Sequence, residues 1–269
     1  MKTSILFYHW NNRLTGSVIN LFEYFLKIYE LNKEAEIIFI NGNVIDIKNL
    51  LKIVYDRYNI DDLKGFENNI RIVSRYKMMA EKLENVLILD YGTISKTKGF
   101  ISPKNLIVIS EKYTSDPNFF FSKELYNVTY YGEMPFHYRD KEYRMKFLFD
   151  RYKKLKNVDE AIFLNSPHNH DFSFVEDLEL PDKPIIYKTR SHRDNLFEKF
   201  DTFVYYHADK WFDPHPRLFV ESKFYDKDII YFNHPNIIDG SYYRYNDVLE
   251  NGIDNRNMTK NDEVIGQLI

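Results

Sequence analysis

Short apolar runs, each followed after a polar stretch by apolar residues at helical spacing, most restrict how this chain can fold. Ser4 to Tyr8 is a largely apolar run closed by the polar stretch His9 to Thr15, the pattern of a buried strand. Val18, Leu21, Phe22, Phe25 and Tyr29 then follow at i, i+3, i+4, i+7 and i+11, one face of a helix reaching about Leu31. Glu36 to Ile40 predicts a second strand, closed by Asn41-Gly42-Asn43, and Ile47, Leu50, Leu51 and Val54 predict a second helix. Further strands are expected at Val86–Leu89 and Leu106–Ile109. Strands separated by helical patterns rather than by two-residue hairpins need parallel crossover connections, so a Rossmann-like sheet is expected.

The pattern changes between Tyr138 and Leu155, where Met145, Leu148, Phe149 and Tyr152 share a face of a charged helix. Glu142/Lys146 and Asp150/Lys154 pair along it at i, i+4. A second strand series follows at Ala161–Leu164, Ile185–Lys188, Thr202–Tyr206 and Ile229–Phe232. The expected fold class is therefore α/β with two Rossmann-like domains, residues 1–135 and 156–269, joined by a helix at 136–155.

At 269 residues the chain can bury the cores of two small domains. Lys and Arg total 37 and Asp and Glu 40, a formal charge of −3, so no whole-molecule basic field points to nucleic acid. With no Cys, disulfides, thiolate metal sites and a Cys nucleophile are excluded. The apolar run before His9 is too short for a signal peptide, and no stretch approaches the ~18 apolar residues of a membrane span. A cytoplasmic location, in a bacterium or an infected host cell, is the expectation.

The segment 201–232 reads DTFVYYHADKWFDPHPRLFVESKFYDKDIIYF. A strand ends in Tyr205-Tyr206-His207, a polar loop follows, Pro216 to Glu221 opens a helix, and Asp228 to Phe232 forms the next strand. This resembles the donor-binding core of the GT-B glycosyltransferases. The resemblance covers about 110 residues of the second half, and the first half by architecture alone. It implies two domains facing across a cleft, with Glu221 accepting the ribose hydroxyls of a nucleotide sugar and Tyr206 and His207 lining the donor site. Asp213, eight residues before Glu221, matches the second acid of many retaining members, as D-x7-E instead of E-x7-E. Arg217 lies one turn before Glu221, in place to touch phosphate or to pair with that carboxylate. The family's Gly-rich turn is replaced by Asp213-Pro214-His215-Pro216, and its Arg…Lys-Gly clamp is missing. Lys188 and Arg190 are the substitute cations for the diphosphate. A helix N-terminus also favours a diphosphate's charge.

In the first half, Thr15-Gly16-Ser17 lies between the first strand and first helix, where ligands of doubly wound sheets bind. Gly16 and Ser17 are an acceptor or phosphate loop in one reading and a helix cap in the other. One glycine is not the G-x-G-x-x-G fingerprint. Asp90, directly after a strand, is the candidate general base for an acceptor hydroxyl, or a loop cap. His9 holds the corresponding place after the first strand, as an acceptor contact or a plain loop residue. Pro167-His168-Asn169-His170 lacks a third ligand for zinc and is expected to line a cleft. Ile238 to Tyr245 is turn-rich and aromatic, and Thr259 with Asp262 forms a capping pair for a terminal helix.

The expected activity is transfer of a sugar from a nucleotide donor to a hydroxyl acceptor, a glycan or a modified DNA base, with retention slightly favoured. No metal and no cofactor beyond the nucleotide-sugar substrate are expected. The Tyr-, Asn-, Ile- and Lys-rich usage suits an AT-rich genome, bacterial or phage. A non-catalytic nucleotide-binding or assembly protein and a nucleotide-sugar epimerase are the rival readings.

Overall fold

The computed structural model describes residues 2–8, 16–89, 91–97, 99–101, 103–109, 127–131, 153–165, 173–187, 196–207, 218, 221–222, 225–233, 266 and 268. The chain forms two compact units, each built on a parallel sheet. Among the described residues no helix is long and apolar enough to cross a membrane.

The first unit holds β1 (Thr3–Tyr8), α1 (Gly16–Leu31), β2 (Glu36–Ile40), α2 (Val44–Arg57), β3 (Ile70–Val73), α3 (Arg75–Met79), β4 (Asn85–Ile88), α4 (Tyr91–Thr97), β5 (Asn105–Ile109) and β6 (Asn127–Tyr131). Its strands lie in the order β3-β2-β1-β4-β5-β6, every neighbour parallel. Four of these strands match the sequence expectation to within a residue or so at each end. The short β3 and the β6 strand were not anticipated.

The core explains why the pattern was readable. Ile5, Leu6, Ile37, Ile38, Val86, Leu87, Ile88 and Leu106 are completely buried, as strands covered on both faces require. α1 departs from the one-sided stripe expected of it. Ile19, Leu21, Phe22, Tyr24, Phe25, Leu26 and Ile28 are all buried, so it is covered nearly all round. Its inward acid, Glu23, is accommodated because the Tyr58 hydroxyl donates to Glu23 Oε1 at 2.6 Å.

The amino edge of this sheet is held by charge. Glu36 is buried and accepts from Ser4 Oγ at 2.8 Å. Lys2 Nζ stands 3.0 Å from it, and Arg71 bridges it to Glu81. The hydrogen bond to Glu81 raises the Arg71 pKa further, against a smaller opposing effect of burial.

Gly42 sits where the chain turns out of β2. A Cβ there would lie 2.9 Å from Phe39 Cβ and 3.2 Å from Ile47 Cδ1. Gly42→Ala is therefore expected to cost about 1–3 kcal/mol through overpacking, read as a lower urea midpoint. An unchanged midpoint would mean that the turn shifts freely.

The second unit holds β7 (Ile162–Asn165), β8 (Ile185–Tyr187), β9 (Thr202–His207) and β10 (Asp228–Asn233), paired in parallel as β10-β9-β7-β8. All four were expected within a residue or two. Alternation gives the sheet two faces. Ile162, Leu164 and Val204 pack with Val175, Leu180, Ile185, Ile230 and Phe232 on one. Phe163, Phe200 and Phe203 stack on the other, with ring centroids 5.0–6.3 Å apart. At its amino edge Lys183 Nζ donates to Asp201 Oδ2 at 2.7 Å.

The tail departs from the expected division. Leu268 is buried, its carbonyl accepts from Thr3 Oγ1, and it belongs to the first unit, although everything from 156 onward was assigned to the second. The bond joins the Thr3 hydroxyl to a backbone carbonyl 265 residues away, a pairing that local pattern cannot reveal. Most of the expected 136–155 helix, with the His168/His170 cluster, residues 238–245 and the Thr259/Asp262 pair, lies outside the described residues.

Candidate functional site

In an open parallel sheet, connections from two neighbouring strands leave toward opposite sides at one point, and ligands bind in the crevice beyond the carboxyl ends there. The order β3-β2-β1-β4-β5-β6 puts that switch point between β1 and β4. The order β8-β7-β9-β10 puts a second one between β7 and β9.

At the first switch point, β1 ends at Tyr8 and β4 at Ile88. His9 and Asp90 are the residues that follow Tyr8 and Leu89 in sequence, and both lie outside the described residues. Gly16 and Ser17 form the first turn of α1, at the far end of the loop that leaves β1. The strand ends are tied together by neutral groups. The Tyr8 amide donates to Thr93 Oγ1 at 2.8 Å, fastening β1 to α4, and the Thr97 hydroxyl donates to the Thr93 carbonyl at 2.7 Å.

Asn41 is the residue that sequence reasoning missed. Its backbone is left-handed, at φ 57°, a conformation that Asn tolerates better than most side chains. From there its amide N–H donates to the Val73 carbonyl at 2.7 Å, and its Nδ2 donates to the Tyr8 hydroxyl at 2.9 Å. Its Oδ1 accepts from the Arg75 amide at 3.1 Å. One side chain thus fixes the carboxyl ends of β1, β2 and β3 in mutual position. The Asn-Gly-Asn triplet after β2 was the available signal, and it was read only as a turn.

At the second switch point Asn165 closes β7 and is paired in register with Tyr205 of β9. Asn165 is 3% exposed, and its Oδ1 has no hydrogen-bond partner among the described residues. A buried acceptor left in this state costs about 1–3 kcal/mol. Tyr206 is buried, and His207 ends β9 in register with Asn233. Glu221 and Ser222 lie in helical backbone on the connection from β9 to β10, both buried, and Ser222 Oγ has no hydrogen-bond partner among the described residues. The carbonyls of Glu221 and Ser222 accept from Tyr225 and Lys227, closing the helix end onto β10. Lys227, at the amino end of that strand, is buried with its ammonium over the Phe200 ring, and burial pushes its pKa down. Asp213, Arg217, Lys188 and Arg190 lie outside the described residues.

Among the described residues, charged pairs brace the amino edges of both sheets, at Glu36/Arg71 and Lys183/Asp201. At Asp201 burial acts to raise the pKa, but Lys183 and Thr202 outweigh it and hold the carboxyl below its ordinary range. The described residues at the carboxyl edge of the first sheet include Tyr8, Asn41 and Thr93, which hydrogen-bond to one another and to neighbouring backbone. The chain matches no protein-family profile, no curated protein and no solved structure.

Proposed function

We propose that the protein is a glycosyltransferase that moves a sugar from a nucleotide-sugar donor to a hydroxyl acceptor. The observation that carries this reading is the presence of two separate parallel sheets, each with its own switch point, within one chain. A transferase has two substrates to hold, and two such sheets supply one ligand edge for each. On this reading the two units form a GT-B arrangement, with the donor on the second and the acceptor on the first.

The resemblance of residues 201–232 to the GT-B donor core gives the roles. Glu221 accepts the two ribose hydroxyls, which suits a carboxylate with two oxygens. Arg217, Lys188 and Arg190 meet the diphosphate, and Tyr206 and His207 border it. Departure of the nucleoside diphosphate breaks the bond from the anomeric carbon to the phosphate oxygen, and the acceptor oxygen forms the new one. In an inverting reaction the acceptor proton goes to Asp90. In a retaining one, as the D-x7-E pattern at Asp213 and Glu221 suggests, the acceptor proton passes to the departing diphosphate oxygen and no such base is required.

The reading is tested first by melting the protein with nucleoside diphosphates and nucleotide sugars. A bound nucleotide raises the melting temperature as its concentration exceeds Kd. Glu221→Gln is then expected to weaken donor binding by about 1.5–3 kcal/mol, roughly ten- to hundredfold, with the circular dichroism spectrum unchanged. Unaltered affinity by calorimetry would remove the ribose role from Glu221. Arg217→Ala is a less clean test, since loss of its aliphatic stem also disturbs packing. Binding without donor hydrolysis or transfer to any acceptor would point instead to a nucleotide-binding assembly protein.

A further inference from the structure

Asn165 occupies an unusual position for a side-chain amide. It is the final residue of β7, at the carboxyl edge, on the strand where the second sheet's connections part. Right-handed crossovers put the β7–β8 connection on one face of the sheet and the β9–β10 connection on the other. The packing agrees. Val175, from the first connection, lies with Ile162 and Leu164. Tyr225, from the second, packs on Phe197, which touches Phe200, which stacks on Phe163. Asn165, two residues after Phe163, shares that second face with Phe203 and Tyr205.

The amide therefore stands at the aromatic face and is almost wholly withdrawn from solvent, with an acceptor oxygen that no group among the described residues satisfies. Folded proteins pair nearly all such atoms, and the exceptions call for a specific cause. A strand end in the middle of a sheet could hold an apolar residue there, as Leu164 and Val204 do one step earlier on the opposite face. Asn instead keeps an adjacent donor and acceptor at the ligand edge.

We propose that Asn165 is a binding residue for the nucleoside part of a nucleotide. This deepens, and rests on, the reading of the second unit as the nucleotide-carrying one. The argument is chemical. A neutral amide does nothing to neutralise phosphate, which needs N–H clusters or cations. It matches a neutral group that sets a donor beside an acceptor, as base edges and the ribose diol do. The neighbouring Tyr205 and Phe203 rings supply the apolar surroundings in which an amide discriminates most strongly between a matched and an unmatched partner.

The test compares wild type with Asn165→Leu and Asn165→Ala. Calorimetry is run with uridine, guanosine and adenosine diphosphates, the free nucleosides and inorganic diphosphate. Both substitutions are expected to weaken the preferred nucleoside and its diphosphate at least tenfold while leaving inorganic diphosphate unaffected. Without ligand, Asn165→Leu is expected to melt at or above the wild-type temperature, since an unmade polar atom is replaced by an apolar group of similar size. If Leu does not fit the site and the variant fails to fold, Asn165→Ala gives the same affinity comparison.

Unchanged nucleoside affinity in a folded variant overturns the proposal and leaves the transferase reading standing. A lowered melting temperature for Asn165→Leu with unchanged affinity does the same, and assigns the amide to a resident water. Nucleoside binding that is lost in the variants, in a protein that transfers no sugar, keeps the proposal and removes the transferase. A wild type that binds no nucleoside or nucleotide removes both.

Discussion

Phe203→Ala is expected to lower the stability of the second unit by about 3–5 kcal/mol, the range for deleting a fully buried aromatic ring. Phe203 is completely buried near the start of β9, in register with Phe163 on β7. Its ring lies 6.1 Å from that of Phe163 at an interplanar angle of 19°, and within 6.3 Å of both Phe200 and Tyr205. Removal therefore leaves a hole bounded by other rings, which are planar and fill space poorly when displaced. The sheet of this unit has only four strands, so little other apolar area is available in compensation. Urea unfolding followed by a probe in the second unit gives the measurement, because the two units need not melt together. A loss below about 1 kcal/mol would mean that the rings collapse into the gap, and that this stack does not hold β7 to β9.

In an inverting reaction, Asp90→Asn is expected to slow transfer about 10²-fold or more with donor affinity almost unchanged, because a general base acts on the acceptor proton alone. Asp90 follows Leu89, which is buried at the end of β4, on the strand that flanks the first sheet's switch point. A carboxylate in that sequence position suits an acceptor held by the first unit. The product's anomeric proton decides between the mechanisms by NMR. Retention of configuration with a normal rate for Asp90→Asn would make the residue a loop cap. Inversion with a normal rate would move the base to another residue, with His9 at the end of β1 the next to replace.

Much of the fold was legible because its strands are buried on both faces and read as continuous apolar runs. β1, β2, β4 and β9 are of this kind, and their bounds were anticipated closely. β3 was not, since it lies at the sheet's edge with Ile70 and Arg71 only partly buried and Ile72 exposed, and with a charged residue in the middle. The position of the ligand edges follows from strand order, and strand order depends on pairing between distant segments that no local pattern records. His9 and Asp90 were drawn from residues just after strands; in sequence they follow the two strands that flank the first switch point, and both lie outside the described residues. Asn41 and Asn165 escaped notice for a different reason. What distinguishes them is a left-handed backbone in one, which the Asn-Gly-Asn triplet only hinted at, and in the other a buried oxygen without a partner among the described residues, which residue type and spacing do not record.

The contact between Thr3 and Leu268 has a consequence for the order in which the molecule is made. These residues are 265 positions apart, yet both belong to the first unit. During synthesis β1 emerges at once, but the segment that closes over its beginning arrives only after every strand of the second unit has left the ribosome. Until then the Thr3 hydroxyl at the start of β1 lacks this partner. The entropy of closing so long a loop is modest, rising by only about 0.6 kcal/mol for each doubling of length. The delay, rather than the free energy, is what such wiring adds: the second unit is translated in full before the first is sealed.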